Sequence, residues 1–238
     1  GLLEKLTAIG HRTVHGGDYF SDSVLITQET VDKVTECNAL APLHNPANLL
    51  GIAVCAEQLP NLPQVAVFDT AFHQTMPDYA YLYATPRSWE RDHHVRRYGF
   101  HGTSHRYITQ KTAELLGKPQ SDLNIISAHL GNGSSVAAVV GGKSVDTSMG
   151  FTPLPGLIMG TRTGDIDPAI ITYMMERLNV SAEAVLDLMN KKSGLLGISE
   201  LTNDCRELTE AANKGNSAAQ LALDMFCYRL AKYIAEYM

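Results

Sequence analysis

The stretch YGFHGTSH, Tyr98 to His105, sets two histidines four residues apart among glycine, threonine and serine. On one helical face such a pair can bind a metal; at a helix start it can instead present N–H donors to an anion. Zinc requires a third ligand and usually a carboxylate base beside the pair, as in H-E-x-x-H, and no acidic residue lies between His101 and His105. The anion reading is the better one, with His101 at the positive end of the following helix and His105 packed one turn further on.

Other groups suited to anions are spread along the chain. GHRTVHGG puts Arg12 at a strand end beside glycines, and MGTRTGDIDP puts Arg162 in a glycine-flanked loop before a helix. A guanidinium fork matches carboxylate or phosphate oxygens and stays charged at any working pH. The plainer outcome is that each arginine pairs with a local aspartate. Asp69, in VFDT, stands at the carboxyl end of a strand, where α/β sheets place ligand groups, or else it caps the next turn. HLGNGSS, from His129 through Leu130, Gly131, Asn132 and Gly133 to Ser135, can wrap a phosphate with backbone N–H groups, or it is an ordinary Asn-Gly hairpin turn.

Elements able to carry these groups are legible. LTAIGH reads as a buried strand and QETVDKVTECNAL as a helix. HNPANLLGIAVCAEQL reads as a helix capped by Asn45 with Pro46 at its first position, and QVAVFDT as a β-branched strand. A boundary is expected near residues 70 to 75, giving an N-terminal α/β domain over 1–71 and a C-terminal one over 72–238. Beyond it, SHRYITQKTAELLG is an amphipathic helix stopped by Gly117, and NIISAHLGNGSSVAAVVGGKSVDTS a three-stranded meander. Three helices follow, one opened by Asp167 and Pro168, one by Ser181, and the last running to the end with apolar side chains round much of its circumference. That last helix is expected to need partners on two sides.

Composition narrows the function. With 45% hydrophobic and 18% charged residues the chain is globular, and its net charge of −6 argues against nucleic-acid or anionic-membrane partners. No apolar run reaches the roughly 20 residues of a membrane span. The opening GLLEKLTAIGHR lacks a signal-peptide layout, and four scattered cysteines form no disulfide framework or thiolate metal site. A soluble cytoplasmic protein is expected.

Taken together, GHRTVHGG, APLHNPANLLGI, VFDTAFHQTMP, YGFHGTSH, HLGNGSS, DTSMGFTPLPGLIMGTRTGDIDPAI, KKSGLLGISELTNDCR and RLAKYI closely resemble the acetate kinase family, over essentially the whole chain. The resemblance implies an α/β, two-domain phosphotransferase fold of the actin and hexokinase (ribonuclease H-like) type, both domains partial. It implies phosphoryl transfer between ATP and acetate, giving ADP and acetyl phosphate with Mg2+ or Mn2+, in a homodimer. By that resemblance Arg12 and Arg162 hold the carboxylate and the migrating phosphoryl, Asp69 is the catalytic aspartate, expected to orient the metal or its water rather than abstract a proton, and His101 contacts the phosphoryl in flight. His129, Leu130, Gly131, Asn132 and Gly133 fall in the phosphate loop, and Asp204, Cys205 and Arg206 in a segment that contacts adenosine. Val14, Leu43, Phe100 and Pro153 surround the acetate methyl; on a strand, the spacing of Val14 from Arg12 would also put both side chains on one face.

The family's serine-rich opening motif N-x-G-S-S-S-x-K, its later G-G-I-G-E-N loop and a final glutamate that helps hold magnesium do not occur here. The expectation is an internal piece of the enzyme, with the family's metal ligands outside this chain and little turnover by the piece alone. A propionate kinase is the alternative acceptor reading, and a noncatalytic truncated fragment the alternative from another class.

Overall fold

The computed structural model describes residues 5–42 and 44–238; Leu43, expected in the acyl pocket, lies outside the described residues. The chain is mixed α/β and divides into two compact units, Gly1–Ile125 with Val139–Asp146, and Ile126–Ala138 with Thr147–Met238.

In the first unit β1 (Ile9–Thr13), β2 (Val24–Leu25), α1 (Gln28–Glu36), α2 (Asn45–Gln58) and β3 (Gln64–Phe68) follow in order. β3 is central, parallel to β1 with Arg12 opposite Val67, and antiparallel to β2. β1 begins three residues later than the LTAIGH strand expected, and its residues alternate between half-buried and exposed until Thr13. Val34, Ala66, Phe68 and Ala71 form the core, with Phe20 stacked on Phe68 at 4.4 Å between ring centroids.

Asn45 was the expected cap of α2, but it is the first helical residue and His44 holds the cap position. The Asn45 side chain is committed elsewhere: Oδ1 accepts the His15 N–H at 3.1 Å and Nδ2 donates to the His15 carbonyl at 3.0 Å. Asn48, one turn on, accepts the Val14 N–H at 3.1 Å. Both asparagines thus stitch the exit of β1 to α2, which supplies the backbone pairing a chain leaving a sheet otherwise lacks.

A 3-10 turn, Ala71–Thr75, leads through α3 (Asp78–Tyr81) and α4 (Arg87–His93) to α5 (Gly102–Leu116). Gly102, His105, Thr109 and Ala113 are the buried residues of α5, the three-to-four spacing of one helical face, and Gly117 ends it at φ +60°. The compact division runs elsewhere than residues 70 to 75, because the chain after Asp69 packs back on the first unit. α5 packs on the Ala71–Thr75 turn, and Thr75 Oγ1 donates to the Ser144 carbonyl at 2.8 Å.

The meander is present as β4 (Asn124–Leu130), β5 (Ser134–Val140) and β6 (Lys143–Thr147), in that spatial order, and the division between units runs through it. The second unit continues as α6 (Ala169–Leu178), α7 (Ala182–Lys191), α8 (Gly194–Ser199), α9 (Cys205–Asn213) and α10 (Ser217–Glu236). Asp167 Oδ1 accepts the Ala169 N–H, and Ser181 Oγ the Ala184 N–H, as the cap signals require. Ile158, Leu195, Leu208, Ala219 and Ala222 make its core.

The last helix departs from expectation. Only Ala219 and Ala222 of α10 are buried, Leu223 and Phe226 pack partly against the core, and Leu221 and Tyr228 are 53% and 69% exposed. α8 and α9 pack on one side of α10, so its apolar circumference is wider than the surface the described residues lay against it.

Candidate functional site

In the first unit, Arg12 and Asp69 stand at the carboxyl ends of the parallel neighbours β1 and β3. They pair side-on: Arg12 Nε donates to Asp69 Oδ1 at 2.9 Å and Nη2 to Oδ2 at 2.7 Å. The arginine side chain is 67% exposed and the aspartate 3%. The buried carboxylate is therefore an anchor, and the guanidinium reaches outward with its remaining N–H donors. Its hydrogen bond to Asp69, then the attraction of that charge, raise the Arg12 pKa against the lowering effect of burial.

Asp69 also orders its surroundings through its backbone, accepting the Gly102 N–H at 2.9 Å and donating to the Thr13 carbonyl at 3.0 Å. A Cβ at Gly102 would stand 2.3 Å from the Asp69 carbonyl oxygen, so only glycine permits α5 to start so close to the end of β3. His101 is the cap residue of α5 and is left-handed, φ +57° and ψ +21°. Non-glycine residues hold that conformation only where the surroundings fix it. Here Gly102 is tied to Asp69 on one side, and the Phe100 carbonyl accepts from His73 Nε2 at 2.9 Å on the other.

His73 was not singled out from the sequence. It is fully buried, its Nδ1 lies 2.8 Å from Ser144 Oγ, and burial lowers its pKa to about 4. Because a carbonyl can only accept, Nε2 carries the proton and Nδ1 accepts from the serine hydroxyl. His15 is a second buried imidazole, lowered to about 4 mainly by burial, with Nδ1 accepting the Gly17 N–H at 3.0 Å and its ring edge-on to Tyr98 and Phe100. Phe100 and Val14 are buried, but Val14 lies past the end of β1, so strand alternation does not set its direction. His105 is wholly buried on the inner face of α5.

In the second unit the segment 131–133 bends between β4 and β5, with Ser134 Oγ donating to the Gly131 carbonyl at 2.8 Å. His129 is half-buried at the end of β4, and Leu130 is exposed. The structure brings this turn to the second expected nucleotide segment: Asn203 Nδ2 donates to Asn132 Oδ1 at 2.7 Å, and the Gly160 N–H to the Asn132 carbonyl at 2.9 Å. A Cβ at Gly160 would fall 1.9 Å from Asn132 Oδ1, which explains the glycine ahead of Arg162. Asp204 caps α9 and grips Arg206 through Nε at 3.1 Å and Nη2 at 2.6 Å; that hydrogen bond, then the Arg206 N–H, lower its pKa to about 2. Cys205 is an exposed free thiol.

Arg162 contrasts with Arg12. Its Nη1 donates to the Pro153 carbonyl at 3.2 Å and approaches Met159 Sδ at 3.9 Å, and no carboxylate pairs with it among the described residues of its own unit. Burial lowers its pKa. A half-buried guanidinium held by a carbonyl and a thioether, with no carboxylate of its own unit on it among the described residues, keeps its charge available for an anion.

The sequence matches the model of the Acetokinase family over residues 1–238. The acetate kinase of Carboxydothermus hydrogenoformans is 61% identical over 235 residues, which cover 99% of this chain and 59% of that one. The crystal structure of Porphyromonas gingivalis acetate kinase superposes with a TM-score of 0.94 at 52% identity, covering 98% of this chain and 59% of that chain. A propionate kinase structure from Francisella tularensis gives 0.96 at 55% identity, covering 99% and 61%. The chain spans about three fifths of the length of the curated relatives it matches, and its α/β architecture is a partial actin and hexokinase-like fold. By sequence along its full length and by backbone, the chain belongs to the acetokinase family.

Proposed function

We propose that the protein carrying this sequence transfers the γ-phosphoryl group of ATP to acetate, giving ADP and acetyl phosphate, and catalyses the reverse reaction as well. The observation that carries the reading is Arg162, a half-buried guanidinium that no carboxylate of its unit pairs with among the described residues, in a chain of the acetokinase family. In the reaction an acetate oxygen bonds to the γ-phosphorus while the bond from that phosphorus to the bridging oxygen breaks, and ADP leaves with the electron pair. Acetate, with a carboxylate pKa of roughly 4 to 5, is already ionised at neutral pH and needs no base.

What the protein must supply is position and neutralising charge for a loose phosphoryl transfer. Arg12 and Arg162 hold the acetate carboxylate and the migrating phosphoryl, and His101 donates to the phosphoryl in flight. Asp69 acts through Arg12, whose fork it fixes. The turn from His129 to Gly133 takes ATP phosphate, Asp204, Cys205 and Arg206 take the adenosine, and Val14, Leu43, Phe100 and Pro153 enclose the methyl. Mg2+ or Mn2+ belongs with the nucleotide in this reading. Among the described residues no three His, Cys, Asp or Glu side chains gather as a metal site, and both Asp69 oxygens are engaged by Arg12, so the residues present do not fit a resident ion and no step runs through one.

A homodimer and a cytoplasmic location go with the reading; the exposed apolar side chains of α10 support the first, and dependence on ATP the second. Propionate as acceptor is a second reading, favoured by the likeness to the Francisella propionate kinase. The test is a hydroxylamine trap for acyl phosphate on the protein extended to the length of its relatives. Acetyl hydroxamate that requires both ATP and acetate is the expected result. No product, or product with propionate alone, overturns the acetate reading.

A further inference from the structure

We propose that Arg229 and Tyr233 on α10 are positioning residues that keep Asp165 committed to Gly156, and so withhold from Arg162 the carboxylate nearest to it in sequence. The loop arginine and Asp165 are three residues apart, a separation at which a flexible loop pairs them readily. Instead Asp165 closes the base of its own loop, with Oδ1 accepting the Gly156 N–H at 2.7 Å and its N–H donating to the Gly156 carbonyl at 3.0 Å. Its other oxygen accepts the Tyr233 hydroxyl at 2.6 Å and lies 3.6 Å from Arg229 Nη1. Arg229 Nη1 also donates to the Gly156 carbonyl at 3.0 Å.

Arg229 and Tyr233 are four apart on one helix, so they share a face and meet the loop base together. The tip of the loop is fixed independently: Met159 N–H donates to the Arg162 carbonyl, and the Ser193 and Leu195 N–H groups to the carbonyls of Thr161 and Met159. With tip and base both held, the guanidinium rests on the Pro153 carbonyl, and no carboxylate of its unit neutralises it among the described residues. This gives the RLAKYI segment a task that folding alone does not require. The inference rests on the reading of Arg162 as an anion holder, but one arm of its test does not.

The test compares wild type, Tyr233→Phe, the pair Arg229→Met with Tyr233→Phe, and that pair with Asp165→Asn added, in the protein at the length of its relatives. In the pair, Asp165 turns to Arg162; modification of Arg162 by phenylglyoxal, followed by mass spectrometry, slows about tenfold, the scale of a hydrogen bond to a charged group, and KM for acetate rises by a similar factor while KM for ATP holds. Tyr233→Phe alone moves both in the same direction by a smaller factor. Asp165→Asn restores both, because asparagine still accepts from Gly156 but no longer neutralises an arginine. An unchanged phenylglyoxal rate in the pair, or a slowing that Asp165→Asn does not relieve, overturns the proposal. If the wild type makes no acetyl phosphate, the functional reading fails and the phenylglyoxal rates still decide this one.

Discussion

His73 donates its Nε2–H to the carbonyl of Phe100, the residue before His101, at 2.9 Å. With the bond from Gly102 to Asp69, it brackets a histidine held in the left-handed region, so a buried imidazole fixes the backbone from which an expected catalytic histidine projects.

That arrangement makes stability depend on pH in a defined window. The His73 pKa is lowered to about 4 in the folded chain, against roughly 6.5 unfolded. The unfolded state therefore binds the proton first as pH falls, and the contribution of His73 is complete above about 6.5 and is lost as pH drops toward about 4. The shift corresponds to about 3 kcal/mol. His73→Gln keeps a donor for Phe100 without a titrating ring, so the stability difference between wild type and variant, by urea unfolding, should shrink by about that amount between pH 7 and pH 4. A difference that does not change with pH would show that the imidazole is not held neutral.

The bidentate pair of Arg12 and Asp69 gives a second prediction. Arg162→Ala and Arg12→Ala should each lower kcat/KM by ~10²-fold or more in the protein at the length of its relatives, the scale of losing a preorganised charge donor. If Asp69 acts through Arg12, the double variant Arg12→Ala with Asp69→Ala should be no slower than Arg12→Ala alone. Multiplying losses would assign Asp69 a task of its own. A near-normal rate for either arginine variant would remove that arginine from the mechanism.

For His101 the backbone and the side chain can be separated. His101→Gly adopts φ +57° without strain, whereas His101→Ala carries a penalty of roughly 1 kcal/mol there. Both should lower kcat by about 10²-fold, as for one lost donor to a developing charge, with alanine also the less stable of the two. Equal zinc content in wild type and variants is expected by elemental analysis. Zinc that disappears with His101 would revive the metal reading of the two histidines.

What the sequence made legible was local. Gly117, Pro168 and Ser181 mark helix ends because each signal acts within one turn, and the paired glycines before Lys143 mark the turn of a meander. Asn45 misled because its side chain answers the backbone of His15, thirty residues away, rather than its own helix. His73 was invisible for the same reason: its partners, Phe100 and Ser144, are far along the chain. The site followed this pattern: Arg12 and Arg162 stood out by residue type and by glycine neighbours and Asp69 by its place at a strand end, while His73 and Asn48, which hold the nearby backbone, did not. For α10, apolar composition could not say which faces the described residues would cover.

The last prediction concerns the length of the acid. Val14 is buried, and its backbone N–H is held by Asn48, so its position is set by α2 as well as by β1. Strand alternation does not aim it beside Arg12, since β1 ends at Thr13, and its task as a wall of the acyl pocket rests on family resemblance and burial. A wall that excludes one methylene is worth ~1 to 3 kcal/mol, or roughly 10 to 200-fold in kcat/KM, so acetate should be preferred to propionate by about that factor. Val14→Ala removes two methyl groups and should narrow the preference, chiefly by improving propionate, and should cost roughly 1 to 3 kcal/mol of stability through the space left behind. Asn48→Ala loosens the backbone at Val14 without enlarging the pocket, so it should weaken both acids together and leave their ratio alone. The ratio of the two kcat/KM values, measured by the same hydroxamate assay, separates these cases. If Val14→Ala leaves the ratio unchanged, or if the wild type uses both acids equally, Val14 is not the wall and the propionate reading moves ahead.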